Sequence, residues 1–391
     1  MMHGKAIKVL FYVQHLLGLG HLIRSCRITT ALHARGFQVT LVTGGIINDR
    51  FEVAGVTHVR LPSMAVRGSD FSVMVDSDNK PIDDDFRARR CQQLLDVYAS
   101  VQPDAVVLEA FPFGRRQMRF ELLPLIEVIE ATSPVRPVLV TSVRDIVQRR
   151  TKPGRDEQSV ALIKQHFDKV LVHGDPQATT LDDSFSRTAE IAEKIIYTGL
   201  VSAPISTTDG QRFDIVVSAG GGAVGFDLIR AALGAAALLP RIQSWCVVTG
   251  PNMPADQFEE LLSMAPDNVT LERFKENFTA ILQLADLSIS QAGYNTVNDV
   301  LQAGCRSILI PYSAHGETEQ TDRAARLNAL GRASVLDEGS LNAQHLAMLV
   351  VDVLASAPPE LSTTQMNGAE RTAEIIRELV ILNAVSRGEL N

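Results

Sequence analysis

Paired cysteines are missing from this sequence: the four present, Cys26, Cys91, Cys246 and Cys305, stand far apart in 391 residues. No disulfide framework follows from that spacing, and free thiols in a reducing cytoplasm are the simplest reading. Basic charge is also scarce. With 37 Lys and Arg against 45 Asp and Glu the net charge is −8, which argues against nonspecific nucleic-acid binding, since that needs a clustered basic face. No apolar run reaches the roughly 20 residues a bilayer span requires, so membrane contact is expected to be peripheral at most. The first residues pass into a strand and then into Gly18 and Gly20, a pattern unlike a signal peptide. What remains is ordinary for a soluble globular chain, with 46% hydrophobic and 21% charged residues, long enough for two domains of about 190 residues each.

Two nucleotide motifs are incomplete in informative ways. Residues 7–13 form a continuous apolar run, followed by a loop with Gly18 and Gly20, a helix over 21–35 and a second strand over 37–43. This is a βαβ unit with glycines at its first turn. Ile23 stands where a dinucleotide fingerprint has its third glycine, and Thr43-Gly44-Gly45 offers no acid to grip a ribose. That disfavours a dehydrogenase. Later, an apolar strand over 214–218 feeds Gly220, Gly221 and Gly222 and then a helix. Three adjacent glycines can turn their N–H groups inward, and the helix N-terminus adds positive potential, which makes a phosphate cradle that needs no metal. It lacks the Lys-Ser/Thr ending of a P-loop, which disfavours nucleoside triphosphate hydrolysis.

The stretch 285–328 organises the second half. It reads as strand, loop, helix, strand, loop, helix, which builds a parallel sheet whose loops open at the carboxyl edge where ligands bind. Those loops carry Gly293, Asn295 and Thr296, then His315, Glu317, Glu319 and Gln320, small and polar groups suited to a sugar or ribose. Asp299 follows Asn295 by one helical turn, so both can face the same mouth.

This block resembles the donor-binding half of GT-B glycosyltransferases, most closely the MurG-like enzymes of glycosyltransferase family 28. Gly293, Thr296 and Asp299 fall on that family's Gly–Thr loop and ribose-binding acid. Glu319, Gln320, Asn328 and Ala329 fall on the glutamine pair that holds the donor sugar and the N-A dipeptide after it. The acid is Asp299 where Glu is commoner, and the first of the glutamine pair is Glu319. No arginine follows Gly199, where the family keeps a phosphate-binding one.

The resemblance implies an α/β GT-B architecture of two Rossmann-like domains facing across a cleft. An acceptor domain would span 1–200, a donor domain 201–364, and a final helix in 365–391 would return to the first. It also implies metal-independent, inverting transfer from a nucleotide-diphosphate sugar, with a UDP-sugar favoured and no cofactor. A nucleotide-sugar hydrolase or 2-epimerase on the same fold is the alternative. The acceptor would be a glycan, a lipid-linked saccharide or a small molecule, in the cytoplasm or at the inner face of the membrane. Phe274 and Lys275 match positions that wrap the nucleobase.

His21 matches the family's histidine after the glycine loop ending at Gly20. A helix N-terminus disfavours imidazolium, which leaves a neutral ring as a base for the acceptor hydroxyl. His15 is the competing base. Glu109, at the end of a strand over 104–110, orients the acceptor, assists the base, or pairs with Arg115 or Arg116. Arg144 and Asp145 reach the same edge, followed by a basic loop with Arg149, Arg150, Lys152 and Arg155. The Asp83-Asp84-Asp85 run reads as a solvated part of a polar loop over about residues 68–90.

Overall fold

The computed structural model describes residues 6–16, 18–46, 52–66, 73–132, 136–149, 153–204, 211–220, 225–275, 278–313, 318–359 and 365–388. In chain order the first elements are β1 (Lys8–Val13), α1 (Gly20–Ala34), β2 (Gln38–Thr43), β3 (Thr57–Arg60), β4 (Met64–Val66), β5 (Met74–Asp76) and α2 (Asp84–Val101). There follow β6 (Ala105–Glu109), α3 (Arg119–Ala131), β7 (Val138–Arg144), α4 (Arg155–His166), β8 (Lys169–His173) and β9 (Ile195–Tyr197). Next come β10 (Ile215–Ser218), α5 (Phe226–Leu238), β11 (Trp245–Val248), α6 (Ala255–Met264), β12 (Val269–Glu272) and α7 (Phe278–Leu284). The chain ends with β13 (Leu287–Ser290), α8 (Tyr294–Ala303), β14 (Arg306–Leu309), α9 (Glu319–Ala329), β15 (Ser334–Val335), α10 (Ala343–Ala355) and α11 (Gly368–Ser386).

Two compact units result: Met1–Val201 together with Asn367–Asn391, and Ser202–Met366. The first holds a parallel sheet in the order β3-β2-β1-β6-β7-β8-β9. From β1 the crossovers run one way to β3, and from β6 the other way to β9, so the sheet has its switch point between β1 and β6. The register sets Val9 beside Ala105 and Tyr12 beside Leu108. Val9 through Val13 are wholly buried, the near-continuous apolar run expected of a strand covered on both faces.

α11 completes this unit by packing along α1. Arg377 donates to the Arg35 carbonyl at 2.6 Å and lies 4.6 Å from the Phe37 ring centroid, and Asn383 donates to the Arg136 carbonyl at 3.1 Å. At its start, Gly368 sits so close to the Gly199 carbonyl that an added Cβ would meet that oxygen at 2.4 Å.

The second unit repeats the plan in the order β12-β11-β10-β13-β14-β15, all parallel, with its switch point between β10 and β13. Trp245, Ile215, Val217 and Leu287 fill its core with Leu228 of α5 and Val350 of α10.

One sequence expectation fails outright. The polar stretch thought to be a loop as far as Arg90 becomes helix at Asp84, because Asp83 caps α2 by accepting the Phe86 N–H at 2.7 Å, with Asp84 and Asp85 in the first turn. Acidic residues there complement the helix dipole. Arg90 is wholly buried, not solvated. Its guanidinium binds Glu121 through Nε at 2.6 Å, Gln14 Oε1 at 2.6 Å and the Gly44 carbonyl at 3.0 Å, and Tyr12 donates to the same Glu121. Side chains at Gly44 or Gly45 would collide with Arg90 or with the His15 ring. These glycines therefore serve packing at the end of β2.

Candidate active site

In the first unit the switch point brings the end of β1 beside the end of β6. His21 lies in the first turn of α1, and its Nδ1 stands 2.7 Å from Oε1 of Glu109, the last residue of β6. Arg24, one turn further along α1, donates to the same oxygen. Glu109 is fully buried and Arg24 nearly so, while the His21 side chain keeps 21% of its exposure. Burial alone would raise the Glu109 pKa. His21 and Arg24 outweigh it and hold the carboxyl well below the usual range, so it stays an acceptor. His21 therefore donates from Nδ1–H and keeps the Nε2 lone pair. Its own pKa is lowered, first by burial and then by Arg115, against the pull of Glu109. A neutral imidazole with a fixed tautomer and a partly open face is the outcome.

His15 is only 4% exposed, and its Nε2 donates to the Ile46 carbonyl at 3.0 Å, so that nitrogen has no lone pair to offer. Glu109 pairs with His21 and Arg24; Arg116 instead donates to Gln158 Oε1 at 2.5 Å. Gly20 opens α1, Arg144 closes β7, and the buried Asp145 accepts the Ile146 N–H at 2.8 Å. Beneath them His173 of β8 bridges Ser142 Oγ at 2.7 Å and Thr198 Oγ1 at 2.8 Å. Arg150 and Lys152 lie outside the described residues.

In the second unit, Ser218 at the end of β10 accepts the Gly220 N–H at 3.3 Å, and Gly220 takes a φ of +74° that side chains disfavour. Gly221 and Gly222, the rest of the proposed cradle, lie outside the described residues, as do His315 and Glu317. Across the switch point, Gly293 caps α8, and no atom lies within 4 Å of where its Cβ would be. Asn295 and Thr296 sit in the first turn of α8, whose N–H groups have no intrahelical acceptor. Asp299, one turn on and 7% exposed, accepts the Ala203 N–H at 3.2 Å. Phe274, half exposed, and Lys275, paired with Glu272 at 2.5 Å, follow β12.

Glu319 is 3% exposed and ion-paired with Arg323 at 2.9 Å, and Gln320 Oε1 accepts the Tyr312 N–H at 3.1 Å. The Glu319 carboxylate thus meets the Arg323 guanidinium through Oε1. Arg24 and Arg323 were both missed. The signal for Arg323 was present as an acid–arginine pair at i, i+4. Arg24 gave only an arginine one turn after His21, in a helix that also carries Ser25, Arg27 and Thr29. Among the described residues no three His, Cys, Asp or Glu side chains gather as a metal-ligand set, and no helix is long and apolar enough to cross a membrane.

Two Rossmann-like sheets with their ligand-facing loops at the switch points define the GT-B class of fold, and the comparisons agree. CalG4, the calicheamicin glycosyltransferase, superposes with a TM-score of 0.61 at 16% identity, over 97% of this chain and 95% of that one. Acinetobacter baumannii MurG does so with a TM-score of 0.59 at 15% identity, over 95% and 99%. Residues 216–379 match the family model described as the glycosyltransferase family 28 C-terminal domain. A UDP-N-acetylglucosamine–N-acetylmuramyl-(pentapeptide) pyrophosphoryl-undecaprenol N-acetylglucosamine transferase of Agrobacterium fabrum is 31% identical over 46% of this chain and 48% of its own. The corresponding enzyme of Synechocystis is 33% identical over 34% and 38%. The chain spans less than half the length of these two relatives. It is a GT-B-fold protein resembling the MurG-like enzymes of family 28.

Proposed function

We propose that the protein is a nucleotide-sugar-dependent glycosyltransferase that moves a sugar from a nucleotide-diphosphate donor, a UDP-sugar by preference, to an acceptor hydroxyl. The second unit would hold the donor. The observation that carries this is the overlap between the family 28 match and the second switch point, where Gly220, Gly293 and Asp299 are set on the ends of β10 and β13 and the first turns of α8. The positive-φ turn at Gly220 and the N-terminal end of the α8 dipole would supply positive potential for a diphosphate without a metal, and would stabilise charge on the departing pyrophosphate. In the first unit, His21 takes the acceptor's proton at Nε2 while Glu109 holds its ring. The hydroxyl oxygen attacks the anomeric carbon, the bond to the diphosphate breaks, and configuration inverts in a single displacement. Arg144 and Asp145 would lie along the acceptor, a glycan, a lipid-linked saccharide or a small molecule.

A thermal-shift panel of UDP, GDP and dTDP sugars tests the donor reading. A true donor at a hundredfold excess over its Kd stabilises the fold by about 2.7 kcal/mol. A panel without any shift defeats it. Incubation with radiolabelled donor alone separates transfer from hydrolysis or epimerisation: rapid release of free sugar, or a changed sugar, overturns the transferase reading.

A further inference from the structure

We propose that Arg323 is a positioning residue of the second unit, one guanidinium that ties the loop opening α8 to the first turn of α9 and so holds the donor-binding surface in shape. The inference rests on the donor reading above and deepens it. Arg323 is 3% exposed. Its Nη1 donates to the Ala292 carbonyl at 2.9 Å, and its Nη2 to Glu319 Oε1 at 2.9 Å. The guanidinium carbon lies 5.6 Å from the centroid of the Tyr294 ring, itself buried. Ala292 lies in the short turn between the end of β13 and Gly293, the cap of α8. One side chain of α9 therefore reaches a backbone carbonyl of the neighbouring turn, its own helix opening, and the first ring of α8.

The chemistry requires an arginine here. A guanidinium presents its donors in a rigid planar fork that can satisfy two acceptors at once, whereas an ammonium is a single point charge on a flexible stem. Buried charge also requires a counter-charge, and removing one partner leaves the other uncompensated. Glu319 is that counter-charge. On the next residue, Gln320 uses its Oε1 for the Tyr312 N–H, so the first turn of α9 grips the turn after β14 as well. With Oε1 engaged by a donor, the Gln320 amide nitrogen is left as a donor group for a ligand oxygen.

This arrangement separates two roles for Glu319 that sequence alone merges. A glutamate that reads a hydroxyl of the transferred sugar changes the preference among donor sugars and leaves the affinity for UDP, which lacks that sugar, unaltered. A glutamate that neutralises Arg323 changes the affinity for UDP itself.

Calorimetric titration of the full chain with UDP and with a UDP-hexose decides between them. The variants are Arg323→Met, Arg323→Lys, Glu319→Gln, Glu319→Asp and the double Arg323→Met/Glu319→Gln, each checked for an intact thermal transition. Arg323→Met and Glu319→Gln are expected to weaken UDP about tenfold, the scale of a lost charge-assisted hydrogen bond. The double variant is expected to be no weaker than the worse single one, because the two groups act as a unit. Arg323→Lys and Glu319→Asp, which keep the charges, recover part of the loss and remain informative if a neutral variant fails to fold. Folded variants that bind UDP as the wild type does, or penalties that simply add, overturn the clamp. A wild-type chain that binds none of UDP, GDP or dTDP defeats the donor reading and the clamp with it.

Discussion

Nδ1 of His21 and Oε1 of Glu109 are 2.7 Å apart although 88 residues separate them in the chain. The contact exists because β6 lies directly beside β1, while the chain between them builds the other wing of the sheet. An imidazole in the first turn of a helix thereby gains a buried carboxylate that fixes which nitrogen carries the proton.

Replacing His21 with Ala removes the proposed proton acceptor and leaves the second unit's sequence unchanged. Turnover is expected to fall by roughly 10²–10⁴-fold, with UDP affinity unchanged by calorimetry. Turnover at the wild-type rate would rule His21 out as the base.

Glu109→Gln tests the other half of the pair. The amide no longer neutralises Arg24, which is 2% exposed, and loss of one partner from a buried ion pair costs about 3–5 kcal/mol. A urea unfolding curve is expected to show that loss together with reduced turnover. A variant as stable as the wild type would mean that water reaches the pair.

Acid is expected to destabilise the first unit well above the carboxylate range. The His173 pKa is pushed down to about 3, by burial first and by Arg24 next, while an unfolded histidine titrates near 6.5. The unfolded chain thus takes up a proton that the folded one refuses. The stability is complete above about pH 6.5 and falls as pH drops toward 3, by up to about 1.4 kcal/mol per pH unit for this one group. His21 acts in the same direction, and Glu109, held low, adds to the loss below about pH 4.5. Urea midpoints at pH 7.5, 6.0 and 5.0 check the slope, and His173→Gln should flatten it.

Gly293→Ala separates fold from ligand. Its φ of −67° suits any residue, and nothing lies within 4 Å of the added carbon, so stability is expected to change by no more than about 1 kcal/mol, the scale of a weaker helix cap. Donor affinity should fall if a phosphate or ribose approaches this turn. A methyl group without effect on nucleotide binding would place the ligand elsewhere.

Much of this was legible from local pattern. Strand, glycine turn and helix at β1–α1, and the paired strand–helix units from β13 to α9, announce themselves by apolar runs and punctuation. α2 did not, because the face it buries is built from Arg90, Leu94 and Tyr98, and a buried arginine looks like surface to any hydrophobic count. β3 was missed because Thr57–Arg60 is short and only partly covered at the sheet edge. Within the site, the sequence indicated which edge His21 and Glu109 share. That they touch depends on strand order, and that Glu319 faces Arg323 depends on how α9 is turned, which charge alone leaves open.

The seam where Gly368 rests on the Gly199 carbonyl has a consequence for biosynthesis. The first unit takes its closing helix from beyond the second, so on the ribosome the stretch 202–366 emerges whole before the first unit can be finished. The nascent first sheet must wait, with the α1 surface that α11 will cover still bare, until Gly368–Ser386 arrives.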